Sequence, residues 1–342
     1  RGMTGPAFRQ RRRSRPGAGG RSWWRRAAGQ DVDTSVRLGP VELANPIVAA
    51  SGTFGHGDEL ARLCDPSDLG AVTVKSLTAH PWAGNPPPRL RTTMAGMLNS
   101  VGLEGPGVEH WVAHELPALR SYGARVIASL WGRTVDDFAR AAQQLVPALG
   151  ELVAVELNIS CPNLEDRARM FAHSADATHA AVHAAVDALN AVEAVDGVPV
   201  FAKLSPNTWE IVDIADAALD AGATGLTLVN TVFGLGIDAE TRRPTLGAGG
   251  GGLSGPAIKP VALRAVHEVH RARPDVPIIG TGGVAHGVDA IEMLLAGASA
   301  VGVGTVTFRE PRAPARIAAE VVAWCRAHGV TRVAELTGGL RP

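Results

Sequence analysis

From residue 45 onward, short runs of apolar residues recur along the chain. Each is followed by a polar or Gly-rich turn and, in most cases, by a longer Ala-rich stretch of amphipathic character. Eight runs have strand length: Ile47–Ala50, Ala71–Val74, Arg125–Leu130, Leu152–Ile159, Val198–Leu204, Gly225–Val229, Val276–Ile279 and Ala300–Gly304. Helical periodicity fills Asp136–Leu149, Asp176–Val192, Ile211–Ala221, Ala257–Arg273, Val288–Ala296 and Arg312–His328. Near-continuous apolar strands are what a parallel sheet covered by helices requires, because both of its faces are buried. Eight such strands alternating with helices close a (β/α)8 barrel, so the pattern predicts an α/β fold of TIM-barrel type, with a doubly wound open sheet as the alternative. Two connections exceed an ordinary strand-to-helix turn: Leu77 to about Trp111, rich in Pro and Gly, and Thr231 to Pro256, which contains the run Gly247–Gly252. Loops of that length inside a compact domain are expected to bind or cover a ligand, and here they would be inserts on the C-terminal face of the barrel.

Charge refines this picture. The 342 residues carry 33 basic and 33 acidic side chains, but the first thirty hold nine Arg and no acid, leaving 24 basic against 33 acidic residues in the remainder. An acidic body repels a phosphate backbone, which argues against nucleic acid as its partner. Residues 1–32 are expected to form an Arg-rich unfolded extension, and residues 33–342 one folded domain. No 18-residue apolar run is present to span a bilayer, and no apolar segment follows the arginines as a secretory signal requires, so a cytoplasmic location is expected. Cys64, Cys161 and Cys325 stand far apart, which provides neither a disulfide framework nor a four-ligand metal site. None of the His residues shows paired metal spacing.

In a barrel, chemistry collects where the strands end. The residues there are Ser51; Lys75 and Ser76; Ser129; Asn158 with Cys161 and Asn163; Lys203; Asn230 with Thr231; Gly282 with Gly283; and Gly304 with Thr305. Lysines and amides at the ends of apolar strands are costly to bury unless paired, so the set points to a planar, oxygen-rich, anionic ligand. Gly-rich turns after strands seven and eight are the usual barrel site for a phosphate, held by backbone N–H groups. Here they read Gly280-Thr-Gly-Gly and Gly302-Val-Gly-Thr. No GxGxxG follows the first strand, so a Rossmann-type nicotinamide site is not supported. Cys161 lies just past the fourth strand, where a thiol of lowered pKa can act as a base or nucleophile; taken alone, a Cys is more often an inert buried residue.

Several segments resemble the class 1 dihydroorotate dehydrogenases, FMN-containing barrels of pyrimidine biosynthesis. They are Ala44-Asn-Pro-Ile-Val-Ala-Ala-Ser-Gly-Thr-Phe-Gly, Gly84-Asn-Pro-Pro-Pro-Arg, Met97-Leu-Asn-Ser-Val-Gly-Leu, Leu157-Asn-Ile-Ser-Cys-Pro-Asn and Gly252-Leu-Ser-Gly-Pro-Ala-Ile-Lys-Pro. The match runs from about residue 35 to 325 and is most like type B, whose electrons pass to a partner subunit carrying FAD and a 2Fe–2S cluster and then to NAD. The resemblance implies that Ser51, Lys75, Ser76, Ser129, Asn158, Lys203, Val229, Gly255, Gly282, Gly283, Gly304 and Thr305 surround FMN. It implies that dihydroorotate or orotate is held by Lys75, by Asn99, Ser100, Val101, Gly102 and Leu103, and by Asn158, Asn163, Asn230 and Thr231. It further makes Cys161 the base at C5 during hydride transfer from C6 and gives Lys203 the task of stabilising the reduced flavin; separately, the acidic body and Ala-rich outer helices permit a dimer, and a homodimer core is expected.

Three features depart from the family pattern. Ser129 stands where Asn is common; the loop after Cys161 lacks a Gly-rich character, with Trp131 and His110-Trp111 expected to add bulk near the mouth; and the Arg-rich tail has no counterpart in the type B pattern. The alternatives are a related dihydropyrimidine dehydrogenase and a flavin-binding barrel without catalysis.

Overall fold

A computed structural model describes residues 32–160, 162–163, 169–191 and 197–341, with only the backbone of 162–163. Eight parallel strands close on themselves: β1 Ile47–Ala49, β2 Ala71–Thr73, β3 Val126–Leu130, β4 Ala154–Asn158, β5 Val200–Lys203, β6 Gly225–Leu228, β7 Ile278–Thr281 and β8 Ala300–Val303. Each strand pairs with its sequence neighbour, and β8 returns to β1 through Val301–Ile47 to Val303–Ala49. Full closure removes sheet edges, and it rules out the doubly wound alternative.

The outer ring contains α1 Val135–Leu145, α2 Ala175–Asn190, α3 Ile211–Asp220, α4 Lys259–Ala272, α5 Gly287–Ala296 and α6 Ala313–Ala327. Local chemistry sets their ends. Thr134 and Asp137 form a capping box at the start of α1, and Ser174 caps α2 through the Ala177 N–H. The periodicity expected to carry α1 to Leu149 stops at Leu145, and Val146–Glu151 tightens into a 3-10 turn because Pro147 has no N–H to continue the ladder. Strand β7 lies two residues later than its apolar run, beginning after Pro277 and taking in Gly280 and Thr281. The core is continuous between strands and helices, with Phe138, Phe171 and Phe201 fully buried. Among the described residues no helix is long and apolar enough to cross a membrane.

The two long connections are not irregular loops. Leu90–Thr93, Gly96–Asn99, Gly251–Ser254 and Val232–Gly234 form a four-stranded antiparallel sheet across the mouth of the barrel, with Gly252 opposite both Asn99 and Phe233. Within the Gly247–Gly252 run, this packing requires glycine at its last two positions. A Cβ on Gly251 would sit 2.4 Å from the Asn99 carbonyl oxygen, and one on Gly252 would sit 2.0 Å from the Thr231 side chain.

Candidate active site

The strand ends and the mouth sheet enclose a cavity of about 1380 Å³. That exceeds the roughly 300–1,000 Å³ of an ordinary single-ligand pocket and leaves room for a cofactor with a second small molecule. Ser51, Lys75, Ser76, Asn158, Lys203, Val229, Asn230 and Thr231 line it from the strand ends. Gly255, Gly282, Gly283, Gly304 and Thr305 line it at the end nearest β7 and β8, and Asn99 to Leu103 line it from the mouth sheet. Cys161 and the side chain of Asn163 lie outside the described residues.

Ser129 is the exception. It is fully buried and does not line the cavity; its hydroxyl sits behind Ser76, 2.9 Å away. The expected direct contact of Ser129 with the flavin is therefore corrected to a supporting one. The tryptophans are corrected as well. Trp111 is buried with Nε1 donating to the His56 carbonyl, Trp131 packs edge-on against Trp82, and neither reaches the cavity wall.

Two glycine turns form the end of the cavity at β7 and β8. Gly282 and Gly283 adopt φ of 131° and 80°, a region in which L side chains are strained. A Cβ on Gly282 would meet Ala262 at 2.7 Å, and one on Gly283 would meet Lys259 at 2.6 Å. Helix α4 thus packs directly under the turn, which only glycine permits. Lys259 reaches from α4 to Asp289 and Glu292, each at 2.7 Å, and the other Asp289 oxygen accepts from the Ala285 and His286 N–H groups. Burial opposes the charge on Asp289, but Lys259 and those two N–H groups hold its carboxyl below the usual range. The turn is braced from behind while its backbone faces the cavity, the arrangement that backbone N–H capture of a phosphate requires.

The opposite half is polar and cationic. Burial draws the Lys75 ammonium down to about 8, a shift that Glu104 opposes and Arg89 adds to. Its Nζ donates to the Glu104 carbonyl at 2.6 Å. The Asn99–Leu103 loop is held by the preceding segment. Trp82 Nε1 donates to the Gly102 carbonyl at 3.0 Å, Asn85 Nδ2 donates to Ser100 Oγ at 2.9 Å, and Arg89 pairs with Glu104. A Cβ on Gly84 would fall 2.4 Å from the Val101 carbonyl oxygen, so the Gly84-to-Arg89 segment packs flush against the loop it supports.

Two further residues belong to the site and were not among those expected. Asn207 lines the cavity and joins the loop after β5 to the segment after β6, donating to the Thr231 carbonyl at 3.0 Å and accepting from the Phe233 N–H at 2.8 Å. Glu156, only 2% exposed, stands 3.7 Å from Lys203 Nζ. The period of two along a strand was the available signal, since Glu156 shares a face with Asn158. The other two cysteines are buried free thiols, and burial pushes Cys64 up to about 11, which leaves it inert at neutral pH.

The sequence pattern of the family described as dihydroorotate dehydrogenase matches residues 34–324. The chain is 42% identical over 309 residues to a Geobacter metallireducens protein named dihydroorotate dehydrogenase B (NAD(+)), catalytic subunit, covering 90% of this chain and 98% of that one. It is 45% identical over 277 residues to a protein of the same name from Listeria innocua, covering 81% and 88%. Among solved structures, an Eimeria tenella dihydroorotate dehydrogenase in complex with ferulenol superimposes with a TM-score of 0.73 at 23% identity over 91% of this chain and 89% of that one, a likeness of fold.

Proposed function

Because the chain belongs to the dihydroorotate dehydrogenase family, we propose that it oxidises (S)-dihydroorotate to orotate in pyrimidine biosynthesis with FMN as its resident cofactor. The observation that carries this reading is the convergence, in one cavity, of a braced glycine turn at one end with two lysines, Lys75 and Lys203, and four amide side chains, Asn99, Asn158, Asn207 and Asn230, along the rest of its wall. This donor set fits FMN: the turns after β7 and β8 suit its phosphate, and Lys203, Ser76 and Asn158 suit the polar edge of its ring. When bound, FMN supplies the acceptor for the hydride that leaves C6.

The chain's own residues do the rest. Lys75, the Asn99–Leu103 loop, Asn158, Asn163, Asn230 and Thr231 hold the flat ring of the substrate through its carboxylate and imide oxygens. Cys161 takes the C5 proton on Sγ, a role that rests on the family motif Asn-Ile-Ser-Cys-Pro-Asn. Lys203 keeps a positive charge where negative charge develops on reduction. The mouth sheet covers the ligands and limits their contact with water. Electrons then leave through a partner subunit carrying FAD and 2Fe–2S with NAD as final acceptor, a reading supported by the relatives' shared name, which specifies both NAD(+) and a catalytic subunit.

Turnover with an artificial electron acceptor tests the substrate. Dihydroorotate should be oxidised and dihydrouracil and dihydrothymine should not; the reverse preference would move the chain to dihydropyrimidine chemistry.

A further inference from the structure

We propose that Glu156 is a positioning residue for both halves of this site. It offsets the charge of Lys203, and it ends a one-way chain of hydrogen bonds that sets the polarity of the ligand-facing amides. The inference rests on the reaction proposed above.

The chain is continuous. Asn158 Nδ2 donates to Ser76 Oγ at 3.1 Å, Ser76 Oγ lies 2.9 Å from Ser129 Oγ, and Ser129 Oγ donates to Glu156 Oε1 at 3.0 Å. All four residues are buried, none more than 6% exposed. The donor–acceptor inventory then leaves one arrangement. An ionised carboxylate only accepts, so the single Ser129 proton points at Glu156. Ser129 must therefore accept from Ser76, whose own proton is thereby committed, and Ser76 must accept from the Asn158 amide. The Ser51 hydroxyl donates to the Val74 carbonyl at 2.8 Å and stands 3.3 Å from Ser76 Oγ, so as an acceptor for the Ser76 proton it is the longer alternative to Ser129 at 2.9 Å.

Backbone donors fix the same polarity from the other side. The Ser160 N–H donates to Asn158 Oδ1 at 3.3 Å and the Thr231 N–H to Asn230 Oδ1 at 2.9 Å, while Asn230 Nδ2 donates to Asn158 Oδ1 at 3.2 Å. The relay thus runs from Thr231 through both amides and both serines to the carboxylate. Lys203 Nζ stands 3.7 Å from the same Oε1, and Glu156 is its only ion-pair partner among the described residues. One buried negative charge therefore serves both the cation beside the flavin and the amides facing the substrate, through separate contacts.

Those separate contacts make the two roles separable. Glu156→Gln keeps the shape but removes the charge, and its amide can present either a donor or an acceptor to Ser129. With the positive charge of Lys203 no longer offset, the reduced flavin is favoured. The oxidised–reduced equilibrium should move at least tenfold toward reduced, about 30 mV for two electrons. Ser129→Ala cuts the relay and spares the Lys203–Glu156 pair; acting on the flavin only through the neutral Ser76 and Asn158, it should move the oxidised–reduced equilibrium by less than about twofold while the KM for dihydroorotate rises at least about threefold. Glu156→Asp, which keeps the charge, should return the potential toward wild type.

The potential is read by equilibration of the flavin-loaded protein with a reference dye. It is therefore independent of dihydroorotate, and wild-type protein that dihydroorotate fails to reduce would refute the reaction, not the electrostatics. An unchanged potential in Glu156→Gln, or an equal shift in Ser129→Ala, overturns the proposal. If Glu156→Gln does not retain flavin, Ser129→Ala decides: a raised KM with the oxidised–reduced equilibrium moved less than about twofold supports the relay, and an unchanged KM overturns it.

Discussion

Lys75 offers a test in which the perturbation is pH alone. Burial lowers its pKa to about 8 from an ordinary 10.5, with Glu104 pulling it back up and Arg89 pressing it further down. If its ammonium holds the carboxylate of orotate, binding requires the protonated form, and apparent affinity falls as pH rises through the pKa of the free protein. At pH 7 nearly all of the Lys75 population is charged; at pH 9 about a tenth is, so orotate should bind about tenfold more weakly at pH 9 than at pH 7. A lysine of ordinary pKa would leave affinity flat across that window. The linked effect on folding has the opposite sense: between about 8 and 10.5 the unfolded chain binds more protons at this position than the folded one, so this group's contribution to stability rises with pH there. The assay is titration of the flavin-loaded protein with orotate, read from the perturbed flavin absorbance at each pH. Lys75→Gln should bind orotate about 10- to 150-fold more weakly at pH 7, the worth of a hydrogen bond to a charged group, and should lose the dependence on pH. Equal wild-type affinity at pH 7 and 9, or a slope that survives Lys75→Gln, would refute the assignment.

Other residues make sharper demands on single variants. Cys161→Ser should slow anaerobic flavin reduction by about 10²- to 10⁴-fold at neutral pH and regain part of the rate at high pH, as a weaker acid is forced to act as the base; stopped-flow absorbance reads both. Lys203→Ala leaves Glu156 buried without its cation, which should cost about 3–5 kcal/mol and lower Tm by roughly 6 °C in excess FMN, with much of the loss regained when Glu156→Leu is added. A Tm change under about 2 °C would show that the pair carries no such stake. Gly283→Val places a branched side chain at φ 80° and against Lys259, so FMN affinity measured by fluorescence quenching should fall at least about tenfold, and an unchanged affinity would contradict the turn's role.

The barrel was legible because its strands are buried on both faces. Such strands appear as unbroken apolar runs, and all eight lie within about two residues of their predicted positions. The mouth sheet was not legible as strands. Leu-Arg-Thr-Thr and Gly-Gly-Leu-Ser are short and polar or glycine-rich, and their pairing rests on long-range contacts between residues 96–99 and 251–254 that no local pattern reports. The site residues at the strand ends were legible as a set, since polar groups there stand out against apolar runs. Ser129 was misplaced for the same reason: β3 continues through Leu130, so its hydroxyl falls one layer behind Ser76. Glu156 escaped notice because it lies within an apolar run, and only the closed barrel brings it beside Lys203 on the adjacent strand. Trp111 looked like bulk at the mouth, but its helix, Val108–His114, turns the ring inward onto the His56 carbonyl.

FMN in this cavity is proposed to take its electrons from dihydroorotate. The most direct measurement mixes the yellow protein with dihydroorotate without oxygen and follows the flavin band near about 450 nm, a half-reaction that needs no partner subunit. Rapid bleaching with one orotate formed per flavin is the predicted result. A band that persists in protein with its full complement of FMN would contradict the account.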